Sequence, residues 1–303
     1  MPRNTLIIIA GGALIILAAG AVFFSRKSSS PEPATISFWS IRDDAAVWEP
    51  IINQFQEKNP HIIVNYVRLE EATYEEVLVN RLAEGRGPDV FVLPNTLLAK
   101  HRDKVLPLPS EFRLAAKDFQ RAFVDIAVEE LIGPQEEILG APLFVDTLAL
   151  FYDRDVFNAA GIATPPKNWD EVIETAKLLT RANSSGEITK SGIALGTYNN
   201  IEYAFEIISA LMLQNGDPVI VRNTGEVAVE QGAQRALDFY TSFASPSRQN
   251  FAWADYLKNS FTAFGERTAA MVFGFAEDIS RITAINPHLA FQAIPLPQPK
   301  DAN

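Results

Sequence analysis

Residues 142–152 read Pro142-Leu143-Phe144-Val145-Asp146-Thr147-Leu148-Ala149-Leu150-Phe151-Tyr152. Aliphatic and aromatic side chains with no internal turn former describe one long extended stretch, interrupted at its apolar centre by an Asp-Thr pair. A carboxylate among apolar side chains is costly unless it meets hydrogen-bond donors. Asp146 is therefore the first candidate for a binding role. Its competing role is that of a structural residue tied to local backbone amides. Thr147 points to the opposite face if the pleat is regular, which weakens its claim.

Upstream, strands and helices alternate. Thr35-Ile36-Ser37-Phe38-Trp39 is a short strand, and Trp48, Ile51, Ile52 and Phe55 follow at helical spacing with Asp43 or Asp44 as N-cap. Asn59-Pro60 closes that helix, and Ile62 to Val67 is a second strand. Tyr74, Val77, Leu78 and Leu82 mark a second helix, broken by Gly85 to Pro88, and Asp89 to Leu93 is a buried strand ending at Pro94-Asn95. Strand, helix, strand, helix, strand predicts a parallel sheet with right-handed crossovers. Downstream, Asn168 caps a helix with Glu171 reaching back from three residues on. Residues 201–213 form a nearly all-apolar helix, buried on most sides and stopped by Asn215-Gly216. A hairpin is predicted over Val219 to Val229, helices over 233–243 and 260–264, and strands over 268–273 and 289–294.

A chain of 303 residues implies about two domains. The net charge of −11, without a Lys/Arg run, disfavours nucleic acid. The absence of cysteine removes disulfides and thiolate chemistry. Leu6 to Phe24 is an uncharged run of 19 residues, long enough to span a bilayer at about 1.5 Å per residue. It is either a retained anchor or a leader removed at Ala19-Gly20-Ala21, and in both readings the rest of the chain lies outside the cytoplasm. Ser28 to Pro33 is a polar tether. His61, His101 and His288 match no metal-ligand spacing, and neither a nucleophile elbow nor a phosphate loop is present, so no enzyme, metal or cofactor is expected. Glu70, Glu71, Glu75, Glu76, Glu129 and Glu130 are expected on solvated helix faces rather than as glycosidase carboxylates.

Three stretches carry a family resemblance: Gly87-Pro88-Asp89-Val90-Phe91, the run from Gly140 to Glu171, and Phe261 to Met271. In that order the chain resembles the bacterial extracellular sugar-binding proteins, the group containing maltose-binding protein. The resemblance implies an α/β, two-lobed periplasmic-binding-protein fold of type II, here with an N-terminal membrane helix. The implied partition is residues 1–33 as anchor or leader and tether, 34–145 as lobe 1, 146–290 as lobe 2, and 291–303 as a return strand to lobe 1. Family members continue past the position matching Pro299, so the sequence is expected to be truncated at its C-terminus.

The implied role is the solute-binding component of an ABC importer. It would be a monomer that closes on a mono- or oligosaccharide and presents it to permease subunits. The alternatives are a polyamine, a glycerol phosphodiester or a peptide as cargo, or a tethered sensor. Ligands of open α/β sheets sit beyond the carboxyl ends of strands. Those ends supply Trp39, Ser40 and Asn95, the latter two also plausible as a capping and a turn residue. Asp146 matches a sugar-contacting Glu of maltose-binding protein. Aromatic faces cover sugar rings; Trp253 is the preferred one and Tyr198 the second, while Trp48 and Trp169 are expected in the core. Ala276 aligns with a tryptophan of maltose-binding protein, for which Phe275 could substitute. Glu277, with Asp146 and Asp278, keeps the polyamine reading open.

Overall fold

Alternation along Ala34–Ser40 (β1) sends Phe38 to one side of the strand and Trp39 to the other. Phe38 meets Trp48 edge-on with ring centroids 4.8 Å apart, and Trp48 stacks toward Tyr66 at 6.0 Å. Trp48 belongs to α1 (Ala45–Lys58) and Tyr66 to β2 (Ile62–Arg68). On the other side Trp39 packs against Tyr74 and Leu78 of α2 (Glu71–Ala83). β1 pairs in parallel with β2 and with β3 (Val90–Phe91), in the order β2-β1-β3. The helices are thus crossovers, as the alternating pattern requires. β3 is shorter than predicted and Val90 is half exposed, so this strand is not a buried one. The first unit continues through α3 (Asn95–His101), a short 3₁₀ turn, α4 (Ala116–Ala122) and α5 (Asp125–Leu131).

The computed structural model describes residues 32–109, 116–216 and 231–300. The apolar run Leu6–Phe24 and the hairpin predicted over 219–229 lie outside them. Among the described residues no helix is long and apolar enough to cross a membrane. The chain divides into two compact units, Met1–Pro142 and Leu143–Asn303.

The second unit runs β4 (Ala149–Asp153), α6 (Arg154–Ala159), α7 (Trp169–Leu179), the small pair β5 (Arg181–Ala182) and β6 (Ile188–Lys190), α8 (Ala204–Gln214), α9 (Gln231–Ser242), α10 (Ser260–Gly265), β7 (Met271–Gly274), α11 (Asp278–Ile285) and β8 (Phe291–Pro295). β4 is central and antiparallel to both neighbours, in the order β7-β4-β8. Leu150, Met271 and Phe273 are completely buried, and with Phe151 and Val172 they form one large core.

One expectation is corrected here. The extended stretch 142–152 is a strand only from Ala149, because its neighbours end there: Ala149 faces Gly274 of β7 and Pro295 of β8. Pro295 has no N–H to continue the ladder. Leu143, Phe144 and Val145 are consequently exposed. Residues 291–295 pair along their whole length, antiparallel, with β4 of the second unit.

Asn168 caps α7 as predicted, its Oδ1 accepting from Glu171 N at 3.0 Å, while Glu171 Oε2 accepts from Lys167 N at 2.7 Å. The apolar helix predicted over 201–213 begins later, at Ala204, because Tyr203 takes a left-handed φ of 59°. One side of α8 stays open, with Phe205 and Leu213 exposed, so it is not buried on most sides.

Candidate functional site

In the first unit the parallel register brings the carboxyl ends of β1, β2 and β3 to one edge. Trp39 is half buried against Tyr74 and Leu78. Ser40 is 1% exposed and turns inward, its Oγ donating to Arg42 O at 3.0 Å and accepting from Arg42 N at 3.2 Å. Its hydroxyl is thus used locally, the alternative weighed from sequence. Asn95 is exposed as the first residue of α3. Tyr74 ties down the turn before it by donating to Val92 O at 2.6 Å, and burial pushes its phenol up to about 12.

In the second unit the antiparallel register places the end of β7, the approach to β4 and the end of β8 at one edge of the sheet. The segment Ser191–Leu195 runs parallel beside β7: Ser191 bridges Ala269, and Ala194 N donates to Met271 O at 3.0 Å. That register carries Gly196, Thr197 and Tyr198 to the same edge, where Tyr198 is 71% exposed. Asp146 lies on the approach to β4 and is exposed rather than embedded among apolar side chains. Its Oδ1 accepts from Thr147 N at 2.8 Å and from Ala276 N at 3.3 Å. The first bond is the local role weighed from sequence. The second fastens the approach to the residue just beyond β7. Thr147 is exposed beside it.

Beyond Gly274 the chain turns into α11 through Phe275, Ala276 and Glu277. A side chain at Gly274 would place its Cβ 2.8 Å from Phe261 Cζ and 3.0 Å from Asp278 Oδ2, so only glycine fits. Phe275 is half buried and meets Tyr203 edge-on, with ring centroids 4.8 Å apart and planes at 84°. Asp278, 4% exposed, accepts from Phe275 N at 2.8 Å and from Tyr203 Oη at 3.2 Å. Burial pushes its carboxyl above the usual range; the Phe275 amide, Tyr203 and Arg281 oppose the shift, and Glu277 adds to it. Glu202 accepts from Asn259 Nδ2 at 2.9 Å and from Arg281 Nη2 at 3.2 Å. Burial alone would raise the Glu202 carboxyl, but these two donors outweigh it and hold it low. Glu277 is exposed at the head of α11.

Trp253 is corrected. It is 0% exposed, within the core, and its Nε1 donates to Asn200 Oδ1 at 2.9 Å. A ring with no accessible face cannot stack on a solute. Its role is to support the loop that carries Tyr198, since Asn200 Nδ2 donates to both Ala254 O and Leu257 O at 3.0 Å and Asn200 Oδ1 also bonds Thr197 Oγ1. Trp169 is buried, as expected for a core residue.

The second unit therefore assembles Asp146, Tyr198, Phe275 and Glu277 at one edge and adds Tyr203 and Arg281, which the sequence reading missed. The available signal was Glu202-Tyr203, a polar pair interrupting an otherwise apolar helix pattern. Among the described residues no cluster of His, Asp and Glu could hold a metal ion. The edge offers half-buried aromatic rings beside carboxylates and a guanidinium, a combination suited to a small polar solute with apolar faces.

Comparison with known proteins agrees with this architecture. The family model described as "Bacterial extracellular solute-binding protein" matches residues 39–303. YcjN of Escherichia coli strain K12, provisionally assigned as an ABC transporter periplasmic-binding protein, is 28% identical over 161 residues, covering 52% of this chain and 36% of that protein. The chain spans about a third of the length of the curated relatives it matches. The sugar-binding protein MalE of Xanthomonas citri superposes with a TM-score of 0.69 at 22% identity, covering 88% of this chain and 66% of that one. An ABC substrate-binding protein of Listeria monocytogenes in complex with cycloalternan gives a TM-score of 0.67 at 16% identity, covering 89% and 68%. The fold is thus α/β and periplasmic-binding-protein-like.

Proposed function

We propose, from the premise that this chain belongs to the bacterial extracellular solute-binding protein family, that it is the extracytoplasmic binding component of an ABC importer and that its solute is a sugar. The family is one of binding proteins rather than enzymes, so the chemistry required is recognition alone. The observation that carries the sugar reading is the edge-on pair Phe275–Tyr203 beside Asp146 at the end of β7. Sugar rings present C–H faces that pack on aromatic rings and hydroxyls that donate to carboxylates. Asp146 keeps one oxygen, Oδ2, outside the two bonds made by Oδ1. Phe275 serves where Ala276 leaves no large ring. In the same reading the solute-loaded form is what the permease subunits recognise.

A thermal-shift titration of the full chain tests this reading. The probes are maltotriose, mannobiose, spermidine, glycerophosphocholine and a tripeptide. A probe at a hundred times its Kd stabilises the folded state by about 2.7 kcal/mol. A shift with a saccharide supports the reading, and Asp146→Ala should abolish that shift while the unliganded protein still folds, its melting temperature lowered only by the loss of two exposed hydrogen bonds. A shift with spermidine alone would replace the sugar by a polyamine, with Asp146, Glu277 and Asp278 as its anions.

A further inference from the structure

We propose that Asp278 is the positioning residue of this edge: it fixes the Phe275 and Tyr203 rings, edge to face, as a preset surface for the solute. The inference rests on the solute-site reading above. The two carboxylate oxygens are divided between two tasks. Oδ2 takes the Phe275 amide at 2.8 Å, which sets where the chain leaves β7 and hence where that ring starts. Oδ1 takes the Tyr203 hydroxyl at 3.2 Å, which holds the far tip of the other ring. One buried anion thereby joins the root of one ring to the end of its neighbour.

The surroundings make the arrangement rigid. Arg281 Nη1 stands 4.0 Å from Asp278 Oδ1, and the same guanidinium pairs with Glu202 and lies 4.8 Å over the Phe261 ring. Glu202 Oε2 accepts from Asn259 Nδ2, and Glu202 N donates to Ser260 Oγ at 3.0 Å. Tyr203 sits in the left-handed region at φ 59°. A ring-bearing residue stays there only where its neighbours over-determine it, and such positions cluster at ligand-binding sites.

Asp278 is buried, and its proton affinity is raised by that burial and by Glu277, while the Phe275 amide, Tyr203 and Arg281 lower it. A carboxyl whose folded pKa is raised contributes stability when protonated, and loses it as pH rises through the folded value. The Phe275 amide, the Tyr203 hydroxyl and Arg281 all face the carboxyl and favour its ionised form, which ties its charge to the placement of the two rings.

The test compares the full wild-type chain with Asp278→Asn and Tyr203→Phe. It measures the melting temperature without ligand at pH 7.5, the Phe275 and Tyr203 ring resonances in ¹³C-labelled protein, and maltotriose affinity by calorimetry. Asp278→Asn keeps the shape while removing the charge. Because one acceptor oxygen becomes an NH2 donor, its unliganded melting temperature should fall modestly, both ring resonances should move, and affinity should fall about tenfold, as for the loss of a charge-assisted hydrogen bond. Tyr203→Phe should move the Phe275 resonances and weaken binding less. Unmoved resonances in Asp278→Asn, or an affinity loss no larger than its loss of stability, would overturn the proposal. If wild type binds neither maltotriose nor any other probe, the solute reading fails by itself, and the ring resonances alone decide the positioning role.

Discussion

Replacing Trp253 by Phe separates a core role from a solute-stacking role. The indole is 0% exposed and donates to Asn200 Oδ1 at 2.9 Å. Alanine at such a site costs about 3–5 kcal/mol, a large part of the roughly 5–15 kcal/mol available to a whole domain, so that variant risks unfolding. Phenylalanine keeps a six-membered ring and loses the fused ring edge and the N–H. Asn200 Oδ1 retains Thr197 Oγ1 as a partner, so it is not left bare. The expected cost is about 2 kcal/mol, combining a partial cavity with one lost hydrogen bond. With a slope of about 2 kcal/mol per molar urea, the midpoint for the second unit should fall by about 1 M. Urea unfolding followed by far-UV circular dichroism reads this directly. Tryptophan fluorescence then helps assign the transition, because Trp169 reports the second unit while Trp39 and Trp48 report the first. An unchanged midpoint together with lost saccharide binding would refute the core assignment and restore Trp253 as a contact residue.

Gly274→Ala should destabilise the second unit by about 1–3 kcal/mol and weaken solute binding, since its Cβ collides with Phe261 and Asp278; unaltered stability and affinity would contradict the tight turn after β7. Asn168→Ala removes the cap of α7 and should lower stability by about 1 kcal/mol in the same urea assay. Arg267→Ala strips the guanidinium that lies 3.5 Å from the fully buried Asp153 Oδ2 and should cost about 1–3 kcal/mol, whereas Arg267→Lys should recover only part of it. Tyr74, raised by burial from 10.0 to about 12, gives a pH-dependent term in the first unit. Its phenol favours the protonated form when folded, so its contribution is complete below pH 10.0 and is lost as pH rises toward 12. Relative to Tyr74→Phe, the wild type should therefore lose about 2 kcal/mol across that window, measured by urea midpoints at each pH.

Local signals in the sequence were read correctly where one segment carries both partners. Asn168 and Glu171 cap each other within a single turn, and Asn215-Gly216 ends α8 with Gly216 at φ 83°. The parallel three-stranded sheet of the first unit followed from alternating strand and helix patterns, because Phe38 and Trp39 each need a helix to cover them. What escaped the sequence was set by distant residues. The stretch 142–152 has strand character throughout, but hydrogen bonding stops where β7 and β8 stop, and neither end is visible locally. Trp253 was the preferred stacking ring from sequence, yet it is buried and Asn200 satisfies its N–H from another loop. Tyr203 and Asp278 are 75 residues apart, and nothing in either neighbourhood announces their bond. Phe275 was identified by resemblance; the residue that meets its ring was not.

The order β7-β4-β8 also bears on how the chain is made. Leu150, at the centre of that sheet, pairs with Phe273 on one side and Ile294 on the other, both more than a hundred residues further along. Contacts so widely separated in sequence slow folding, because a long loop must close before either ladder forms. A nascent chain leaving the ribosome cannot close this core until the segment through Pro295 has been synthesised. Until then the β7-β4-β8 sheet has no partner strands for β4, so its ladders form late in synthesis.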